Sequence, residues 1–172
     1  MTTPWTVRPA ADRDAERIAS INVLSWRHAY DGIVPRPVLD ALDPARRVDG
    51  WRRRIALPAP DAMFVAVGAD DVPVAYASAG ADRQDGATGA GELMAIYADP
   101  AHLGTGAGHL VHEAAVRHLA AQGFHSAVLW VLTANEPSRR FYAAHGWRDD
   151  GVHTELELGG VPLTEVRYSR AL

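Results

Sequence analysis

Between residues 92 and 110 the chain reads Glu-Leu-Met-Ala-Ile-Tyr-Ala-Asp-Pro-Ala-His-Leu-Gly-Thr-Gly-Ala-Gly-His-Leu. An apolar strand passes through Asp99-Pro100 into alternating glycines and then into a helix. Glycines at 104, 106 and 108 leave backbone N–H groups uncovered by side chains. The helix that starts there adds its unpaired amides and the positive end of its dipole. Successive N–H groups converging at such a turn form an anion-binding concavity, and a pyrophosphate fits it.

The rest of the chain builds outward from this turn. Thr6-Val7-Arg8 reads as a short strand, and Asp12 precedes a helical pattern with Ala15, Ile18, Ala19, Val23 and Trp26 on one face. Pro35 and Pro37 interrupt the next segment, and a second helical region spans 44–56. Residues 62–67 and 72–79 are apolar runs separated by Gly68-Ala69-Asp70-Asp71, the signature of an antiparallel hairpin. Residues 82–91, rich in Gly, Asp and small side chains, read as a mobile loop. After the glycines, Leu110, Val111, Ala114, Ala115 and Leu119 mark a buried helix face that stops at Gly123. A strand over 126–132 comes next, then a helix capped by Asn135 with Pro137 in its first turn. His145-Gly146-Trp147 returns the chain to strand, and two closing strands flank Gly159-Gly160. The expected order is strand, two helices, three strands, helix, strand, helix, two strands.

Composition removes several classes of function. The 172 residues suit one domain, and a 48% apolar, 22% charged chain is neither disordered nor fibrous. Absence of cysteine excludes a disulfide framework, a thiolate nucleophile and a cysteine zinc site. A net charge of −4 with acids and bases interspersed does not suit a nucleic-acid surface. Without a long apolar run or a signal-like N-terminus, the expected setting is cytoplasmic, with no membrane partner. His109, His112 and Glu113 lie close on one helix, but the order His-Leu-Val-His-Glu is neither zincin pattern. They read as exposed helix residues, and no metal is expected.

Two motifs together resemble the GNAT superfamily of acetyl-CoA-dependent N-acetyltransferases, and the resemblance covers nearly the whole chain. One is the strand-proline-glycine turn, where Leu103-Gly104-Thr105-Gly106-Ala107-Gly108 stands for the family's Arg or Gln, two residues, Gly, one residue, Gly or Ala; Leu103 replaces the basic or amide residue. The other is Asn135-Glu136-Pro137-Ser138-Arg139-Arg140-Phe141-Tyr142, followed by Gly146-Trp147. The implied fold is α/β (α+β), a mixed and mostly antiparallel twisted sheet of about seven strands flanked by helices and splayed at the acetyl-CoA site. The implied cosubstrate is acetyl-CoA. Ile96, Tyr97 and Ala98 would bond the pantetheine arm through their backbone, and Leu103, Gly104, Thr105, Gly106, Ala107, Gly108 and His109 would surround the pyrophosphate. Asn135 would meet the pantetheine as well as cap its helix.

An amine attacks a thioester only as the neutral base, and the departing thiolate needs a proton, so the site requires a base and an acid. The resemblance assigns these to Glu92 and Tyr142. It also implies that the first two helices and their connection line the acceptor pocket, pointing to Trp26, Tyr30 and Asp31. The expected activity is transfer of acetyl from acetyl-CoA to a primary amine of a small molecule, such as an amino acid, a polyamine or an amino-containing antibiotic, by direct attack in a ternary complex. A peptide or protein N-acetyltransferase and a non-catalytic acyl-CoA binding module are the alternatives. The final strands, Val161 to Tyr168, offer either a pairing surface for a homodimer or a solvated edge through Thr164, Glu165, Arg167 and Ser169.

Overall fold

One seven-stranded sheet organises the chain, in the order β1-β2-β3-β4-β5-β7-β6. The computed structural model describes residues 4–83 and 89–172, so part of the loop expected over 82–91 lies outside the described residues. The strands are β1 (Thr6–Pro9), β2 (Ala62–Val67), β3 (Pro73–Ala81), β4 (Gly91–Ala98), β5 (Ser126–Leu132), β6 (Arg148–Leu158) and β7 (Val161–Ala171). The α-helices are α1 (Ala15–Ala29), α2 (Arg36–Asp40), α3 (Val48–Ile55), α4 (Ala107–Ala121) and α5 (Glu136–Ala144). Every strand pairing is antiparallel except β4 with β5. No helix among the described residues is long and apolar enough to cross a membrane.

Helices cover both faces of the sheet because both faces are apolar. On one face α4 buries Val111, Ala115 and Leu119 against Ala77, Leu93 and Leu129. On the other, Ile18, Ile21 and Trp51 of α1 and α3 pack on Val65 and Tyr76. Burying an aliphatic side chain of this size contributes roughly 1.5–3 kcal/mol, so these two layers fix which side of the sheet each helix takes. A third cluster joins Val34 and Leu39 to Leu132, with Trp26, Tyr30, Leu156 and Leu158 packed against it. It draws the end of α1, α2 and the β6–β7 hairpin together over the end of β5.

Two expectations change here. The segment broken by Pro35 and Pro37 contains a helix of its own, α2. Its prolines stand at the N-cap and in the first turn, where a missing N–H costs nothing, and Arg36 pairs with Asp40 one turn on at 3.1 Å. The final strands are not alike: β7 lies between β5 and β6, pairing with β5 over 165–171 and with β6 alone over 161–163, and among the described residues β6 and β1 are the outermost strands. From Glu165 to Tyr168 the strand is therefore interior to the sheet, while among the described residues Val161, Pro162 and Leu163 pair on one side only.

His112 is also not an exposed helix residue. It is fully buried between α4 and α5, and its Nε2 accepts the indole N–H of Trp147 at 2.9 Å. Nδ1 must then carry the proton, which it donates to Glu113 Oε1 at 3.0 Å. Burial, reinforced by the neighbouring His145, lowers its pKa to about 4. A histidine kept neutral in the fold but free to protonate when unfolded stabilises the fold above its unfolded pKa, and that stability is lost as pH falls through the folded value. Urea unfolding at a series of pH values should show stability declining between about pH 6.5 and about pH 4. In His112→Gln, which keeps an acceptor for Trp147, the decline should be shallower.

Candidate active site

The local chemistry starts from an irregularity in β4. Leu93 pairs with Ala79 and Ala95 with Ser78, leaving Met94 as an extra residue between them. A bulge of this kind bends its strand and shifts the parity of side chains beyond it. Ala95 and Tyr97 accordingly join the layer under α1 and α3, while Ile96 and Ala98 join the layer under α4. The parallel pairing of β4 with β5 is confined to Gly91 with Ala127 and Glu92 with Val128, so the strands part where the bulge begins. A cleft of about 320 Å³ opens at the splay, within the size range of small-ligand sites. Met94, Ile96 and Tyr97 line one wall, and Trp130, Asn135 and Tyr142 line the other.

The glycine turn lies beyond the far end of β4. Asp99 caps the short turn after the strand by accepting the Ala101 N–H at 2.9 Å, and Arg17 of α1 grips the same carboxylate at 2.6 Å. That pair anchors the turn to the helical layer. Gly104 and Gly106 have positive φ angles of 74° and 91°, which bring the chain round into α4 with Gly106 as its N-cap. The first-turn amides of Ala107, Gly108 and His109 have no intrahelical acceptors. A Cβ built at Gly104 or Gly108 would meet nothing within 4 Å, so neither glycine is required by packing within the chain. The open backbone and free amides fit a diphosphate, and the unpaired β4 edge fits an extended amide-bearing arm, as coenzyme A requires.

Glu92 and Tyr142 both reach the cleft, Glu92 almost completely buried. Its oxygens are engaged with one residue, Arg83: Oε1 accepts Nη2 at 2.7 Å, and Oε2 accepts the backbone N–H at 3.0 Å and Nε at 3.2 Å. Burial, and secondarily the nearby Tyr97, pushes the Tyr142 hydroxyl above the usual phenol range. It is therefore a proton-bearing donor throughout the neutral range. Tyr30 and Tyr97 share a hydroxyl hydrogen bond at 3.0 Å, and burial raises both. Among the described residues the Trp130 indole nitrogen, which lines the same cleft, is buried without a hydrogen-bond partner, and the Trp26 indole approaches the Tyr97 hydroxyl.

Of the residues singled out in the sequence, Trp26, Tyr30, Glu92, Ile96, Tyr97, Asn135 and Tyr142 meet at this cleft. Ile96 and Tyr97 flank the cleft, while the Ala98 carbonyl is taken by the Ser25 hydroxyl at 2.7 Å. Asn135 lines the cleft and caps α5, its Oδ1 accepting the Ser138 N–H at 3.3 Å. Thr105 bonds the His102 carbonyl at 2.7 Å and accepts the Trp5 indole N–H at 3.0 Å, so the residue leading into β1 braces the turn. Leu103 is exposed beside it, Ala107 is buried beneath it, and His109 meets His145 at 2.8 Å. Trp26 and Tyr30 enter the cleft; Asp31 does not, being exposed and 3.5 Å from Arg36.

Arg83, Trp130 and Glu165 are cleft residues that sequence reasoning missed. The alternation of β7 carried a signal, since Val166 and Tyr168 face the α4 layer and Glu165 must face the other way. Among the described residues no group of three or more His, Cys, Asp or Glu side chains is placed to hold a metal.

Comparison with known proteins converges on one family. The sequence model of the acetyltransferase (GNAT) family matches residues 23–147. The uncharacterized N-acetyltransferase YuaI of Bacillus subtilis is 33% identical over 161 residues, covering 94% of this chain and 90% of that protein. Among solved structures, PaiA N-acetyltransferase from Thermoplasma acidophilum, in complex with coenzyme A, superposes with a TM-score of 0.79 at 15% identity and complete coverage of both chains. The yncA protein of Salmonella typhimurium, solved with its cofactor acetyl-CoA, gives 0.73 at 22% identity over 98% of this chain and 94% of its own. At those identities the two structures speak to the fold, which they share.

The empty space beside Gly108 provides a direct check on the phosphate turn. Gly108→Leu should fold within about 0.5 kcal/mol of wild type, because leucine is the better helix former and its Cβ meets no neighbour. Its affinity for coenzyme A, read by calorimetry, should fall at least about tenfold through steric exclusion. Wild-type affinity in this variant would place the diphosphate elsewhere.

Proposed function

The chain belongs to the acetyltransferase (GNAT) family, and on that premise we propose that it transfers the acetyl group of acetyl-CoA to the primary amine of a small molecule. The observation that supports the acceptor class is the outer wall of the cleft. The cluster joining Trp26 and Tyr30 to Leu156 and Leu158 walls the cleft on that side, which suits a compact acceptor over a peptide. Cations are favoured there by aromatic rings and carboxylates lying together.

In this reading acetyl-CoA lies with its diphosphate on the turn from Gly104 to His109 and its pantetheine along β4 beyond Met94. The thioester then falls between β4 and α5, with Tyr142 beside the sulfur. The acceptor enters from the side of Trp26 and Tyr30, loses one proton, and attacks the carbonyl carbon. As the carbon–sulfur bond breaks, Tyr142 donates a hydrogen bond to the developing thiolate. The second amine proton replaces whatever Tyr142 gives up, leaving amide, free thiol and one proton released to solvent. Ile96, Tyr97 and Asn135 serve as positioning groups along the arm.

Coenzyme A thiol release, measured across amino acids, polyamines, aminoglycosides and short peptides, tests this directly. Turnover should appear with one class of small amine. Turnover confined to peptides would replace the acceptor class, and binding of acetyl-CoA without turnover would favour a binding module. Tyr142→Phe should lower kcat by about 10²-fold while leaving the affinity for coenzyme A near wild type.

A further inference from the structure

The cleft contains a second carboxylate, and its surroundings differ from those of the first. Glu92 has both oxygens committed to the half-exposed Arg83, so taking up a proton there would break that ion pair and its hydrogen bonds. Glu165 sits mid-strand in β7, opposite Leu132 of β5 and Thr154 of β6, and lines the same hollow. Among the described residues no cation and no N–H donor is bonded to its side chain.

The groups facing Glu165 are nearly all neutral or negative. Glu92 and Tyr97 approach from β4, and Tyr30 from the end of α1. Tyr142 closes the α5 side of the same hollow, and β5 and β6 contribute Trp130, Leu156 and Leu158, none of them charged. Among the described residues the cations around the cleft are occupied, Arg47 by the Asn22 side chain and the Trp26 ring. Arg83 holds Glu92, and Arg167, two residues along β7, pairs with Asp150 at 2.8 Å while covering the Trp130 ring at 6.0 Å.

From this arrangement we infer that Glu165, and not Glu92, is the general base that takes the proton from the acceptor ammonium. The inference rests on reading the cleft as an acetyl-transfer site. The step is a single transfer: an N–H bond of the ammonium breaks, its electron pair remains on nitrogen, and the proton passes to the Glu165 carboxylate. The neutral amine then attacks the thioester carbonyl, and Glu165 returns its proton to solvent after the amide departs. Glu92 is a positioning residue that holds Arg83 against the cleft wall. Burial, together with the negative charge of Glu92, holds the Glu165 carboxyl above the ordinary glutamate range, which makes it a stronger base toward an ammonium than a solvated glutamate.

The test is the pH dependence of kcat/KM with the best acceptor found. Wild type should rise along an acidic limb whose midpoint lies above the ordinary glutamate pKa of about 4.3 and then level off. Glu165→Gln should lose at least about 10²-fold at neutral pH. Its activity should instead climb about tenfold per pH unit toward the acceptor's own pKa, since only amine already neutral in solution can react. Glu92→Gln should keep the acidic limb while KM for the acceptor rises as Arg83 is released. Coenzyme A affinity serves as the control for folding, and Glu165→Asp, which restores a carboxylate, should recover the limb at reduced rate.

A Glu165→Gln profile with the wild-type limb would overturn the assignment. So would a limb that disappears in Glu92→Gln, which would return the base to Glu92. Absence of turnover by wild type with every amine would overturn the functional reading itself, and the base with it.

Discussion

The extra residue at Met94 is the constraint on which the site depends. A regular β4 would continue its ladder with β5 along its whole length, and no ligand could enter between them. One unpaired residue ends that ladder after two residue pairs, exposes the backbone of the strand beyond it and turns Tyr97 toward the α1 layer. The glycine turn, α5 and the outer aromatic lobe are useful only because this gap exists for them to line. The Arg17–Asp99 pair adds the second fixed point, setting the turn into α4 at a defined place relative to α1.

Electrostatics divides the cleft into two regions with different tasks. At the α4 end, uncovered amides and a helix N-terminus present partial positive charge, although Leu103 supplies none from its side chain. At the outer end, Glu165 and the Glu92–Arg83 pair lie among buried phenols and indoles. A low-dielectric wall strengthens the attraction of an unpaired carboxylate for a cation and raises its basicity together. The same burial keeps the Tyr142 proton in place. In the proposed mechanism acid and base are thus separated by position and by the pairing of their neighbours, although both lie in one hollow.

Much of this was legible in the sequence because it rests on local backbone chemistry. Alternating glycines before an apolar helix, Asn135 ahead of Pro137 and the apolar face of Leu110 to Leu119 each impose a local conformation, and each is present in the fold. The bulge was not legible, since Glu-Leu-Met-Ala reads as ordinary strand and the extra residue is defined only by its partner in β3. Long-range pairing also decides the fate of β7, whose insertion between β5 and β6 carries Glu165 into the cleft. Arg83 was hidden for a similar reason, because a loop composition says nothing of which buried carboxylate it will meet. His112 looked solvated on its own helix and is buried because Trp147 returns from α5 with a single N–H to satisfy.

Amide hydrogen exchange with and without coenzyme A tests the central claim, that the backbone freed beyond Met94 receives the ligand. The account predicts slowed exchange in two separated places on binding: at one or more amides between residues 95 and 98, and at the first-turn amides of Ala107, Gly108 and His109. Saturating coenzyme A that leaves the β4 amides unchanged, or protects only a distant part of the sheet, would contradict it.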